Sequence, residues 1–144
     1  MSSPKFLFVY GTLRRGTGHP MAVFLEKHST YRGSAKTAGR LYDLGESPGM
    51  CEAQSDDDWV FGDLYELTDV EQVLAELDRY EGCGPEDPQP WYFERFVREA
   101  SDPDGSGISC WVYLYRRPVR EQCRIVSGVY SRDDLHEFDW RKTL

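Results

Sequence analysis

Extended and helical segments do not alternate regularly along this chain, and that order argues against the doubly wound parallel sheets that β-α-β units build. The first extended candidate is Phe6-Leu7-Phe8-Val9-Tyr10, an unbroken apolar run of the kind that lies buried on both faces. Gly11 ends it. Residues 14–18 read as a flexible loop, and Pro20 suits the first position of a helix over about 21–27. Extended segments are expected at 34–44 and 59–67, separated by turns at 45–49 and 56–58. The clearest helix follows. Thr68 and Glu71 have capping-box spacing, Val70, Val73, Leu74 and Leu77 recur at helical intervals, and Gly82 stops the run. A Pro-rich loop, 84–90, then leads to a strand expected over 91–99. Residues 102–107 form a hairpin loop into a strand over 108–115, and another extended stretch covers 124–130 before a polar tail. About six strands and two helices in this order predict the α+β class: a small mixed β-barrel with flanking helices, in one domain spanning 1–144.

Composition narrows the function. Forty per cent of the residues are hydrophobic and 14% aromatic, enough to build a core, and the formal net charge is −8. Nucleic acid is not an expected partner, because phosphate binding needs clustered Lys and Arg. Cys51, Cys83, Cys110 and Cys123 are scattered without a C-x-x-C pair, so no metal site is expected. Neither a secretory signal nor a membrane-length apolar stretch is visible, and the scattered cysteines read as reduced thiols in a cytoplasm. The oligomeric state is left open.

One carboxylate stands out. Residue 81 lies eleven positions after Val70, which returns it to within about 20° of the Val70 direction on a helix. Glu81 therefore continues the core-facing stripe of Val70, Leu74 and Leu77. Burial, the negative end of the helix and Asp78 one turn earlier all favour its protonated form, the condition for a general base near neutral pH. The competing reading places Glu81 at a fraying helix end, in solvent.

A second element is the turn Tyr10-Gly11-Thr12-Leu13. Gly11 permits unusual backbone angles and close approach of a ligand, so consecutive N–H groups here can point at one carboxylate or polarised carbonyl. Arg14 or Arg15 adds positive charge at the rim. The alternative is an ordinary strand-to-loop turn. Neither phosphate-loop spacing nor a dinucleotide fingerprint is present.

Together these motifs resemble the γ-glutamylcyclotransferase-like family, in particular its small γ-glutamylamine cyclotransferase branch. The resemblance rests on 9–16 (Val-Tyr-Gly-Thr-Leu-Arg-Arg-Gly) and 77–82 (Leu-Asp-Arg-Tyr-Glu-Gly). Weaker echoes are Tyr92-Phe93-Glu94-Arg95 and Trp111-Val112-Tyr113-Leu114-Tyr115, whereas 125–130 follows the family pattern only loosely. The resemblance implies a compact barrel with two helices and a cavity between the glycine turn and the acidic helix end. It implies a small-molecule γ-glutamyl substrate whose α-amine attacks its own γ-carbonyl, releasing an amine and 5-oxoproline without a cofactor. Glu81 would be the general acid/base, and Tyr10, Gly11, Thr12 and Leu13 would hold the substrate. The rival function on the same fold is a non-catalytic module binding a small ligand or a partner.

Other residues carry weaker signals. Tyr113 lining the cavity would donate to a substrate carboxylate, or else pack as a core tyrosine. Trp91 and Tyr92 read as a loop anchor or a cavity rim, and Arg95 as a charge partner or a solvated strand residue. His19, His28 and His136 share no ligand spacing and fit surface or cap roles. Cys83 reads as a buried structural thiol, and Asp56-Asp57-Asp58 as a solvated turn.

Overall fold

The computed structural model describes residues 4–11, 13–14, 18–45 and 47–130. Five strands close a mixed barrel in the order β1 (Phe6–Val9), β5 (Trp59–Leu67), β2 (Ser29–Ala38), β6 (Phe93–Ser101) and β7 (Gly107–Tyr115). Neighbours run antiparallel except at the closure, where β1 lies parallel to β7 with Leu7 opposite Trp111. A second sheet has the order β4 (Pro48–Cys51), β3 (Arg40–Asp43) and β8 (Arg124–Ile125). The helices are α1 (Pro20–Lys27) and α2 (Val70–Glu81), and a 3-10 turn, Glu121–Cys123, precedes β8. The small mixed barrel with two helices is thus observed, with eight strands among the described residues in place of about six.

The additional strands come from segments where local pattern misleads. The extended segment over 34–44 is two strands broken at Gly39, where a Cβ would sit 2.5 Å from Met50 Cε, and its first strand starts earlier, at Ser29. The turn over 45–49 yields to β4 at Pro48, and the strand expected from 91 begins at Phe93. Over 124–130 only Arg124–Ile125 is strand, because the chain then turns through Gly128 at φ 76°.

β1 is buried on both faces, as its apolar run requires. Phe8 and Tyr10 join the cluster filling the barrel, which includes Leu64, Val112 and Leu114. Leu7 and Val9 join the cluster under the helices, with Leu74, Leu77 and Tyr113. Gly62 lets β5 approach β1 closely: a Cβ there would lie 2.1 Å from the Val9 carbonyl oxygen. The helix ends are closed by different means. His19 caps α1 by accepting from the Met21 N–H at 3.1 Å, with Pro20 in the first turn. The capping box expected at Thr68 and Glu71 does not form. Asp69 occupies the N-cap position without a side-chain bond, and the Thr68 hydroxyl instead donates to the His28 carbonyl at 2.8 Å. Gly82 terminates α2 at φ 79°, a left-handed conformation that suits glycine, and Cys83 N–H returns to the Asp78 carbonyl.

The acidic run 56–58 needs a correction. Asp58 is only 4% exposed and accepts from Arg40 at 2.7 Å, Arg124 at 2.8 Å and the Gln54 and Ser55 N–H groups. It binds the loop before β5 to β3 and β8. Arg40 above all, with the loop amides, holds its carboxyl well below the ordinary carboxylate range.

Candidate active site

The N-terminal glycine turn and the C-terminal end of α2 meet across the edge of the barrel. Between them lies a cavity of about 70 Å³ lined by Phe8, Val9, Tyr10, Gly11, Leu13, Ser47, Pro48, Tyr80, Glu81, Phe93 and Tyr113. It brings together Glu81 with Tyr10, Gly11, Leu13 and Tyr113, the residues expected to act on or hold a substrate, except Thr12, which lies outside the described residues, as do Arg15 and His136. Ser47 and Pro48 were not expected at the site, since their place depends on β4 folding against the turn, whereas Tyr80 and Phe93 lie within the family-like motifs without an expected role of their own.

Glu81 is half-buried at this cavity, on the continuation of the face that buries Leu74 and Leu77. No hydrogen bond to its carboxylate is found among the described residues. Its pKa is pushed up to about 7, first by burial and then by the Asp78 charge. Glu81 thus exchanges a proton near neutrality inside a sheltered space, as general acid–base chemistry requires.

Gly11 serves the turn through space more than through backbone freedom, because its φ is not among the positive ones. A Cβ at this position would lie 2.7 Å from Pro48 Cγ, so glycine is what lets the β3–β4 turn close over the cavity. Gly11 O accepts from Arg14 N at 3.0 Å, which folds the turn back. Arg14, expected at the rim, is not among the lining residues and is charge-balanced by the buried Asp63, at 3.3 and 3.4 Å. The Tyr10 hydroxyl donates to the Tyr113 carbonyl at 2.6 Å and accepts from Met50 N–H at 3.2 Å. Burial, with the nearby Glu81 charge, raises its pKa and keeps the phenol neutral. Tyr10 thereby ties β1 to β4 and β7.

The expected donation from Tyr113 to a substrate carboxylate is corrected by its own hydrogen bond. Its O–H donates to Asp78 Oδ1 at 2.7 Å, so the phenol offers lone pairs and no proton to anything else. Burial and the bond to Asp78 hold this proton firmly. Asp78 also accepts a two-pronged bond from Arg95, 2.8 Å on each oxygen, and the Arg95 guanidinium stacks over Trp111 at 4.3 Å. Arg95 is therefore a charge partner and not a solvated strand residue. Its pairing with Asp78 was hidden in the sequence, because each member reads as a surface charge on its own element.

The remaining candidates have structural roles. Cys83 is buried, and its thiol is pushed up to about 12 by burial and by the Asp78 and Glu81 charges, which leaves no thiolate for attack. Trp91 anchors its loop by donating to the Asp87 carbonyl at 3.2 Å. Tyr92 is exposed, with Arg117 stacked on it at 4.7 Å. His19, besides capping α1, meets the Tyr80 hydroxyl at 3.0 Å and so steadies a cavity wall. Among the described residues no cluster of three or more His, Cys, Asp or Glu is arranged to hold a metal, and no helix is long and apolar enough to cross a membrane.

A sequence profile for the family described as gamma-glutamyl cyclotransferase, AIG2-like, matches residues 7–132. The chain belongs to this family. Within the family it is 33% identical over 134 residues to the gamma-glutamylcyclotransferase family protein ytfP of Citrobacter rodentium, covering 90% of this chain and 98% of that one. It is also 33% identical over 120 residues to the gamma-glutamylaminecyclotransferase of Rattus norvegicus, covering 74% of this chain and 75% of that protein. The crystal structure of an AIG2-like protein from Mus musculus shares the fold at a TM-score of 0.71 and 24% identity, over 92% of this chain and 91% of that one. The cavity of this gamma-glutamyl cyclotransferase family member is built entirely within the matched segment.

Proposed function

We propose that this member of the gamma-glutamyl cyclotransferase family converts γ-glutamyl amines to 5-oxoproline and the free amine, with Glu81 as general acid/base and the Tyr10–Leu13 turn holding the substrate. The observation that carries this reading is a carboxylate titrating near 7 in the same cavity as that turn. The substrate's α-ammonium must lose a proton before it can attack, and Glu81 takes it. The amine then adds to the γ-carbonyl carbon and closes a five-membered ring, placing negative charge on the carbonyl oxygen. Collapse of this intermediate breaks the bond to the leaving nitrogen, which receives the proton from Glu81, and the freed carboxylate then relays the second proton of the ring nitrogen to the departing amine, leaving a neutral lactam and an ammonium ion. The carboxylate is thus restored at the end of each cycle. Both reacting groups belong to one molecule, and effective molarities for such attack reach about 10⁵–10⁸ M, so holding the substrate folded is most of the task. The steps are proton transfers and a carbonyl addition and elimination, and none calls for electron transfer.

The cavity is far smaller than the roughly 300–1,000 Å³ of pockets that enclose drug-sized ligands. It suits the small cyclising end of a substrate, with the leaving amine projecting through the open side. The rat relative's name, gamma-glutamylaminecyclotransferase, supports an amine as that leaving group. Free thiols at Cys51, Cys83, Cys110 and Cys123 fit a reducing compartment such as the cytoplasm.

The test is 5-oxoproline release from a panel of γ-glutamyl amines, γ-glutamyl dipeptides and glutathione. Release from the amines, abolished in Glu81→Gln, is the expected result. Unaltered turnover in Glu81→Gln refutes the assigned base. Ligand-induced thermal shifts without any release would assign a binding module instead.

A further inference from the structure

Beside Glu81, four side chains from three elements form one connected bracket, of which only Tyr113 also lines the cavity. Trp111 on β7 is held by its Nε1–H donating to the Pro4 carbonyl at 2.9 Å. Arg95 on β6 lies over the Trp111 ring and grips both oxygens of Asp78 on α2, and Tyr113, also on β7, donates to the same carboxylate. Asp78 precedes Glu81 by three residues, so the two project from neighbouring positions of the last helical turn. That turn is therefore held to the barrel wall through Asp78, and the charge beside the base is a paired one.

We propose that Arg95 is a positioning residue for Glu81, acting through Asp78: it locks the last turn of α2 against β6 and β7 and offsets the negative charge next to the base. The inference rests on the reading of Glu81 as that base. Arg95 does not line the cavity, and so acts on the substrate only through its neighbours. The two-pronged geometry matters, because a planar guanidinium fixes both the place and the orientation of a carboxylate, whereas an ammonium group fixes only its place.

The other titratable groups around Glu81, among the described residues, do not replace this control. Tyr10 at the end of β1 and Tyr113 on β7 are held neutral, and Cys83 in the loop after α2 stays a thiol. Tyr80, one residue before Glu81, meets His19 of the α1 cap. Asp78 is thus the nearby anion and Arg95 its counterweight. Removing one or the other must move the ionisation of Glu81 in opposite directions. Loss of the Asp78 charge leaves Arg95 unopposed and favours the carboxylate, and loss of the Arg95 charge leaves Asp78 unopposed and favours the acid.

The experiment is a ¹³C NMR titration of carboxyl-labelled protein between pH 4 and 9, with the Glu81 signal assigned by its loss in Glu81→Gln. It is run for the wild type, Asp78→Asn, Arg95→Gln and Arg95→Lys, alongside the pH profile of 5-oxoproline release. For charges one helical turn apart, the expected displacement is on the order of one pH unit, downward in Asp78→Asn and upward in Arg95→Gln. Arg95→Lys keeps the charge and should restore the midpoint while lowering kcat, since orientation is lost. Displacements in the same direction, or none in either folded variant, overturn the proposal. If a single variant fails to fold, the double variant Asp78→Asn/Arg95→Gln removes both charges together, and its Glu81 midpoint should lie closer to that of the wild type than the midpoint of the folded single variant does. A midpoint displaced at least as far as in that single variant refutes the proposal equally. The NMR midpoint reads the bracket without turnover, so loss of the cyclotransferase reading would show as silence in the activity assay alone.

Discussion

Replacing Glu81 with Gln should stabilise the protein, and do so only as the pH rises. Below about pH 4.5 Glu81 is protonated in both the unfolded and the folded chain, and Gln imitates that neutral form. Between 4.5 and about 7 the unfolded chain releases a proton that the folded cavity retains. The folded state then binds more protons, so stability falls as pH increases through this window. Above 7 both states are ionised and the loss is complete. Moving an ionisation from 4.5 to about 7 corresponds to roughly 3 kcal/mol, at 1.36 kcal/mol per tenfold. Glu81 keeps some contact with solvent, so this figure is a ceiling. Gln cannot ionise and escapes the loss. The assay is urea unfolding of both proteins at pH 5, 6, 7 and 8. The stability gap should widen in favour of Glu81→Gln, by about 1–3 M in midpoint at typical urea slopes. Any fixed cost of the new amide is constant with pH and cancels from the trend. A gap that stays flat from pH 5 to 8 would mean that Glu81 titrates as an ordinary surface carboxylate, and the argument for a base in this cavity would collapse with it.

Two further substitutions probe how the site is built. Tyr10→Phe leaves the buried Tyr113 carbonyl and Met50 N–H without the hydroxyl that joins them, at about 1–3 kcal/mol for each unsatisfied group, so unfolding free energy should drop by roughly 2–6 kcal/mol. A change under about 0.5 kcal/mol would show that water replaces the phenol at no cost. Asp58→Asn removes the charge shared by Arg40 and Arg124 and should lower the urea midpoint at neutral pH. Because the Asp58 carboxyl ionises well below its ordinary range, its contribution is present above that range and lost as pH falls through the depressed one. The wild type should therefore lose stability in acid along a limb that Asp58→Asn lacks, and identical acid limbs would contradict this.

The parts of the molecule legible in the chain are those governed by local period and local chemistry. An unbroken apolar run from Phe6 could only be a strand with cover on both sides, and both clusters supply that cover. The stripe through Val73, Leu74 and Leu77 defined α2, and its continuation put Glu81 toward the core side before any neighbour was known. Gly82 ended the helix for a backbone reason that needs no tertiary partner. Where a side chain had a choice of partners, local pattern was not enough. Thr68 has capping-box spacing, yet its hydroxyl goes to His28, forty residues away. Gly11 looked like a residue chosen for its torsion angles and is instead required by the approach of Pro48.

The amino-acid sequence alone thus determined the mixed barrel, the two helices and the core-side position of Glu81, because periodicity and burial act within a few residues of each other. Only the tertiary structure decided that Asp58 is a buried hub, that β3, β4 and β8 form a sheet of their own, and that Asp78 is shared by Arg95 and Tyr113. These contacts join groups 17 to 66 residues apart. A charged or hydroxyl group bonds whichever complementary atom comes within about 3 Å, and that distance is set by how the elements pack rather than by the residues beside it.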